Sequence, residues 1–431
     1  MPGIIVVGLQ WGDEGKGKIV DLLSTRSSHI VRSQGGNNAG HTVKTASGEF
    51  ALHLVPSGIL HAHAHCYIGS GCFIDPKALV EEMKMIESRG VPIMQRLHLS
   101  AGAHLIFPFH RELDRLYEEI KGKGAVGTTG RGIGPCASDR AARVGIRIAE
   151  LIRPDIFRGK LEQLALLKNL ELEKIFSKAP IDIDAVYAEY ATYGELLLPF
   201  VADVEGRIQE SLIRGETVLF EGAHGTLLDT LFGSYPYVTS SSTISSGVLA
   251  GAGVSPGQVD EVVGVLKAYT TRVGGGPLPT TLDPDSLSSF QQADDFREIG
   301  TTTGRVRRIG WLDLVLARHA ISLNGVGNLV LTKLDVLDNL EEIKVCIGYS
   351  LNGEKIDKPP PLIEDFEQVE PIYETLPGWQ MSTKGARNIR DLPKSARQFI
   401  DYIEDYCNVS ISMISVGPGR DETIQIDEEW V

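Results

Sequence analysis

Short apolar runs alternate along the chain with longer segments in which apolar residues recur every three or four positions. The first run, Ile4-Ile5-Val6-Val7, is unbroken and β-branched, the pattern of a strand buried on both faces of a parallel sheet. Between Lys16 and Thr25, Ile19, Val20, Leu22 and Leu23 fall at helical spacing. His29–Arg32 reads as a second strand, with Leu79–Gly90 and Arg111–Lys123 as helices, the former closed by its glycine. From Pro154 to about Arg214 turn signals occur only near Pro180 and Pro199, so a largely helical subregion is expected over about residues 150–215. Strand-like runs resume at Val218–Glu221 and Val262–Ala268, a helix starts near Leu312, and another strand begins at Leu329. An amphipathic helix over Pro393–Tyr406 and a strand over Val409–Ser415 end the series. Strands interleaved with helices in this way predict an α/β fold.

The segments that follow these strands are polar and rich in glycine. Open α/β sheets bind ligands there, beyond the carboxyl ends of the strands. Gly12-Asp13-Glu14-Gly15-Lys16-Gly17-Lys18 has the phosphate-loop spacing between a strand and a helix, where glycine lets backbone N–H groups approach an anion. The residue after Lys18 is Ile19 rather than the Ser or Thr that ligates Mg²⁺. A nucleotide–Mg²⁺ complex therefore needs another oxygen, and Asp13 is the nearest candidate. Gln34–Thr42 offers amide donors and one imidazole, His41, suited to acid–base work; read alone, it is equally an Asn-Gly turn with a surface histidine.

Gly127-Thr128-Thr129-Gly130-Arg131-Gly132-Ile133-Gly134-Pro135, followed by Arg140, Arg143 and Arg147, brings together hydroxyls, backbone N–H groups and guanidinium forks that suit a phosphate monoester. Thr301–Arg308 is a further basic loop. Thr332-Lys333-Leu334-Asp335 resembles the guanine-reading motif of GTP-binding proteins, with threonine where asparagine is usual. A carboxylate there can accept from both N1–H and the 2-amino group of guanine, and adenine offers no such pair. His61, His63 and His65 alternate as though on one face of a strand, but i and i+2 neighbours lie roughly 7 Å apart, too far to share one metal ion unaided. They are expected to face solvent.

Composition narrows the class. At 431 residues the chain can bury a large core, and one α/β domain with insertions or two domains are both compatible with that length. The absence of an 18-residue apolar run and of a basic-then-apolar leader leads to the expectation of a soluble cytoplasmic protein. Five cysteines without a Cys-x-x-Cys pair read as buried thiols in a reducing compartment. A net charge of −14 argues against nucleic-acid or anionic-membrane partners, so anionic small molecules must be drawn by local basic loops.

Taken together and in order, these motifs resemble those of the adenylosuccinate synthetase family over essentially the whole chain, 1–431. The resemblance implies a single domain built on a large central, mostly parallel sheet flanked by helices. That fold is related to phosphate-loop nucleotide-binding folds and carries a helical insertion and mobile loops. It implies GTP-dependent ligation of L-aspartate to IMP through a 6-phosphoryl-IMP intermediate, with Mg²⁺, in a homodimer. Asp13 matches the catalytic base and a Mg²⁺ ligand, His41 the general acid, and the Gly40 carbonyl a second Mg²⁺ ligand. GTP contacts map to Gly12, Asp13, Glu14, Gly15, Lys16, Gly17, Lys18, Gly40, His41 and Thr42. Further along the chain they map to Arg307, Lys333, Leu334, Asp335, Ser415, Val416 and Gly417.

IMP contacts map to Asn38, Ala39, Thr129, His224, Thr239 and Arg305, with Arg143 reaching across the dimer. Thr301, Thr302, Thr303, Gly304 and Arg305 match the loop that closes on aspartate. Residue chemistry is consistent with this reaction. Removal of N1–H from IMP makes O6 nucleophilic toward the γ-phosphate, and charge on the transferring group needs stabilising donors.

Three departures qualify the match. His224 stands where the family usually has glutamine, and an imidazole there would titrate near its ordinary value of about 6.5. Val306 separates the loop arginines, and Ser242–Ser246 differs in its hydroxyls. Two other classes are a GTPase switch, suggested by the phosphate loop plus Lys-x-Asp, and a catalytically inactive relative; the presence of both Asp13 and His41 argues against the second.

Overall fold

The computed structural model describes residues 3–45, 48–291, 298 and 304–426. Its main sheet has ten strands, numbered here along the chain: β1 Gly3–Gly8, β2 His29–Arg32, β3 His65–Ile68, β4 Leu97–Ser100, β5 Val201–Ala202, β6 Val218–Glu221, β7 Glu261–Lys267, β8 Asn328–Thr332, β9 Ile411–Ser415 and β10 Thr423–Gln425. They lie in the order β10-β9-β8-β7-β1-β6-β2-β3-β4-β5. Every pairing is parallel except that of β9 with the edge strand β10.

The central strand shows why unbroken apolar runs mark this architecture. Ile5 and Val7 enter one core, with Phe220, Leu329 and residues of the helices Leu314–Asn324 and Lys394–Cys407. Ile4 and Val6 enter the opposite core, with Ile19 and Val20 of the helix Lys16–Leu23 and with Leu79, Phe107 and Phe157. Both faces are covered, so no polar alternation survives in the strand.

Several boundaries differ from the sequence reading. The block from Pro154 to Arg214 forms the helices Pro154–Lys174, Ile183–Leu197 and Val204–Ile213, but β5 interrupts it and joins the main sheet as its edge. Two residues are too short to leave a period in the sequence.

A smaller sheet, built on Glu342–Leu351 with Leu312–Asp313, Glu354–Ile356 and Glu370–Pro377, was not anticipated. Its hairpin turns at Asn352-Gly353, both with positive φ (53° and 83°), the conformation that Asn-Gly adopts most readily. The three alternating histidines do not share a strand face, because β3 begins only at His65. His61 Nε2 lies 2.9 Å from Asp21 Oδ1, His63 Nε2 3.1 Å from the Ser24 carbonyl, and His65 Nδ1 3.3 Å from His98 Nε2. All five cysteines are buried and free. Among the described residues no helix is long and apolar enough to cross a membrane.

Candidate functional site

The loop after β1 is held open from inside. Gly12, Asp13 and Gly15 have φ of 87°, 58° and 87°, and Asp13 adopts this left-handed conformation without being glycine. The Glu14 side chain is fully buried and accepts from the backbone N–H groups of Gln10 (3.0 Å) and Gly12 (2.9 Å). It also accepts from Lys16 Nζ at 2.5 Å. Glu14 thus pins the loop from beneath, while Gly12, Asp13, Gly15, Lys16, Gly17 and Lys18 face a cavity of about 610 Å³.

Lys18 donates to Ser415 Oγ (2.7 Å) and to the carbonyls of Gly417 (2.7 Å) and Glu422 (3.0 Å), tying the helix start to the end of β9. Burial lowers its ammonium to about 8, against the opposing pull of Glu422 and Asp335.

His41 opens a hairpin, His41–Thr45 with Gly48–Leu52, that packs on the start of the helix Lys16–Leu23. A Cβ at Gly17 would sit 2.9 Å from the His41 Cβ, so glycine is what admits the imidazole. His41 Nδ1 is hydrogen-bonded to the Glu221 carboxylate, at the C-terminal end of β6. Glu221 also accepts from the Ser57 N–H (2.8 Å) and Oγ–H (3.0 Å). Burial alone would raise the Glu221 carboxyl, but His41, Arg32 and the Ser57 N–H hold it below the ordinary range.

Neighbouring loops complete the walls. Asn38 Nδ2 approaches Thr239 Oγ1 at 3.4 Å, which brings two segments about two hundred residues apart in sequence together. Arg305 donates to the Gly127 carbonyl at 3.0 Å, joining the two basic loops. Arg307 Nε lies 2.9 Å from Asp13 Oδ2 in an ion-pair contact whose angle makes no hydrogen bond.

Asn38, Ala39, Gly40, His41, Thr42, Thr129, His224, Thr239, Arg305, Arg307, Lys333, Asp335, Ser415 and Gly417 all line the cavity. Glu14 supports it from below. Leu334 and Val416 are fully buried in the core and do not reach it. Gly304 lies outside the lining, and Thr301, Thr302 and Thr303 fall outside the described residues. Arg143 is exposed at the end of the helix Ile133–Ala142 and does not enter the cavity of its own chain.

His224 differs from the sequence expectation in its chemistry. Its Nδ1 is buried without a hydrogen-bond partner, and its imidazole falls to about 3 through burial and the charges of Arg32, Lys16 and His41. It is neutral at ordinary pH and does not titrate near 6.5.

Two contributors carry no local sequence signal. Glu221 ends an apolar strand and has no motif around it. Glu298 becomes visible only in three dimensions: its carboxylate accepts from the Tyr269 hydroxyl and from Arg307 Nη1 (2.5 Å), with Lys333 Nζ at 3.3 Å and Lys267 Nζ at 3.6 Å. Burial opposes its ionisation, yet these cations hold it far below the usual carboxylate range. A chain of net charge −14 thus gathers Lys16, Lys18, Lys333, Arg305 and Arg307 around one cavity.

Proteins of similar sequence and fold are known. The family model described as adenylosuccinate synthetase matches residues 5–424. An adenylosuccinate synthetase from Synechocystis is 48% identical over 428 residues, covering 99% of this chain and 96% of its own length. One from Carboxydothermus hydrogenoformans is 48% identical, covering 99% and 100% respectively. The structure of a fully ligated adenylosuccinate synthetase from Plasmodium falciparum superposes with a TM-score of 0.92 at 38% identity, over 99% of this chain and 100% of that one. The family model over residues 5–424, relatives 48% identical over nearly the full chain and a structural match of the same extent place the chain in the adenylosuccinate synthetase family.

Proposed function

We propose that this cavity binds GTP and IMP side by side and carries out the family reaction with Asp13 as base and His41 as acid. The chain is a GTP-dependent ligase that joins L-aspartate to IMP, giving adenylosuccinate, GDP and phosphate. The observation that carries the site assignment is the convergence of Asp13, His41, Lys16, Arg305, Arg307 and Asp335 on one cavity of about 610 Å³.

In this reading Asp335 pairs with the guanine edge, and Lys16 and the loop N–H groups take the phosphates. Asn38, Thr129 and Thr239 hold IMP, while His224, a neutral ring, donates or accepts one hydrogen bond at the base. Asp13 takes the proton from N1, O6 attacks the γ-phosphorus, and the GDP oxygen leaves. His41 stabilises charge on the transferring group. The aspartate amine then displaces the 6-phosphoryl group, with Arg305 as a fork for its carboxylates. Arg307 must exchange its contact with Asp13 for the substrate's negative charge before Asp13 can act as base.

Among the described residues no three His, Cys, Asp or Glu side chains converge as a metal site. The donors that do line the cavity, the Asp13 carboxylate and the Gly40 carbonyl, are hard oxygens of the kind Mg²⁺ accepts alongside substrate phosphates and water. Bound there, Mg²⁺ would neutralise charge on the phosphates. Arg143, exposed and outside its own cavity, fits delivery to a second subunit in a homodimer.

GDP release measured with GTP alone, and again with IMP and aspartate, tests the reading. Turnover only with all three substrates is expected. Equal release with GTP alone would favour a GTPase switch.

A further inference from the structure

We infer that Glu221 is the positioning residue for His41, holding the imidazole by Nδ1–H and supporting its protonated form so that Nε2–H is presented to the group being transferred. The inference rests on the role proposed above for His41. Three donors converge on the Glu221 carboxylate: His41 Nδ1–H, the Ser57 N–H at 2.8 Å and the Ser57 Oγ–H at 3.0 Å.

Both carboxylate oxygens are therefore engaged, and the side chain is 1% exposed, so neither water nor substrate competes for them. Ser57 can only donate through its N–H, which leaves the carboxylate as acceptor and His41 Nδ1 as the proton-bearing nitrogen. His41 Nε2 makes no hydrogen bond among the described residues, and His41 lines the cavity.

The strand supplies the rigidity. Glu221 is the last residue of β6, paired in register with Val6 of β1, the strand that leads into the phosphate loop. His41 by contrast begins a hairpin and Ser57 a short turn. Glu221 ties both elements to the sheet centre, and a carboxylate that orients a catalytic imidazole and stabilises its protonated form, in which Nε2–H is free to donate, is worth orders of magnitude in rate elsewhere.

The test is steady-state kinetics of the full-length enzyme bearing Glu221→Gln, His41→Asn and both changes, with histidine ¹⁵N spectra of the unsubstituted protein. The amide of glutamine cannot satisfy three donors, so kcat should fall about 10²-fold or more while KM for GTP and IMP stays within about threefold. Because Glu221 acts through His41, Glu221→Gln should cost almost nothing further in the His41→Asn background. The His41 signals, assigned by their loss in His41→Asn, should show the proton on Nδ1.

A wild-type kcat for Glu221→Gln, independent losses in the double variant, or a bare Nδ1 would overturn the assignment. The spectrum decides the matter even if Glu221→Gln does not fold. Should His41→Asn itself keep wild-type kcat, the fault lies in the site reading rather than in Glu221.

Discussion

Burial, reinforced by Asp338, pushes the Asp335 carboxyl up to about 6. Pairing with guanine N1–H and the 2-amino group requires the carboxylate form. In the free enzyme a proton competes for it below that pH, so affinity for GTP should be constant above about pH 6 and fall below it. Between pH 7 and pH 5 the KM for GTP should rise about tenfold, one proton being displaced per nucleotide bound. Asp335→Asn removes this limb and reverses base choice. Its NH₂ faces the guanine 2-amino group, donor against donor, but suits the 2-carbonyl of xanthine. A loss of roughly 10²-fold in kcat/KM for GTP, with a gain for XTP, is expected. An unchanged GTP-to-XTP ratio would remove Asp335 from the base pocket.

His224 moves the opposite way, to about 3, and so gives no titration between pH 6 and 8. His224→Gln should keep substantial activity and leave the pH dependence of IMP binding unchanged over that range. An inflection between pH 6 and 8 that is present in the parent and lost in the variant would contradict the neutral-ring reading. Asp13→Ala and His41→Asn should each lower kcat by about 10²–10⁴-fold without loss of folded structure by circular dichroism.

At the scale of elements, the cavity is shaped by loops that buried or half-buried carboxylates hold in place. Glu118, in the helix Pro108–Lys121, accepts from the N–H groups of Val126 (3.3 Å), Gly127 (2.7 Å) and Thr128 (3.2 Å). Glu14 does the same for the phosphate loop, and Glu298 gathers Arg307 and Lys333. Glu118 and Glu14 replace a stretch of regular secondary structure as the partner of otherwise orphaned backbone donors. Glu118→Ala should therefore speed hydrogen exchange at residues 126–128 and raise KM for IMP about tenfold, the worth of one charge-assisted hydrogen bond. Protection unchanged from the parent would show that the loop is held by something else.

Across the whole molecule, the sheet order decides which loops meet. β1 lies between β7 and β6, so the phosphate loop has the Gly222–Gly225 turn on one side and the Tyr269–Arg272 segment on the other. Of the arginines proposed for the site, Arg305 and Arg307 line the cavity and Arg143, at φ 64° on the helix end, does not. If it serves a second subunit, Arg143→Leu should weaken IMP binding more than GTP binding. Mixing Arg143→Leu with Asp13→Ala protein should then restore part of the activity, since a hybrid dimer holds one site with both native residues. No recovery despite demonstrated subunit exchange would count against a shared site.

Much of this was legible in the chain itself. β-branched runs such as Ile4–Val7 had to be two-sided parallel strands, because no polar position interrupts them. The phosphate loop, the His41 segment and Lys333-Leu334-Asp335 were readable because each concentrates its chemistry within a few residues. What needed the tertiary structure was any role played through distance. Glu221 meets His41 and Ser57 across more than 160 positions, and Glu298 meets Lys267, Arg307 and Lys333 from three directions. The His61–His65 alternation shows the converse, a pattern that suggested a shared face and found none, because the strand starts only at His65. Local sequence determines periodicity and turn chemistry through short-range sterics and hydrogen bonding. Burial and charge around a side chain depend on which strands become neighbours, and that choice made His224 neutral and Glu221 anionic.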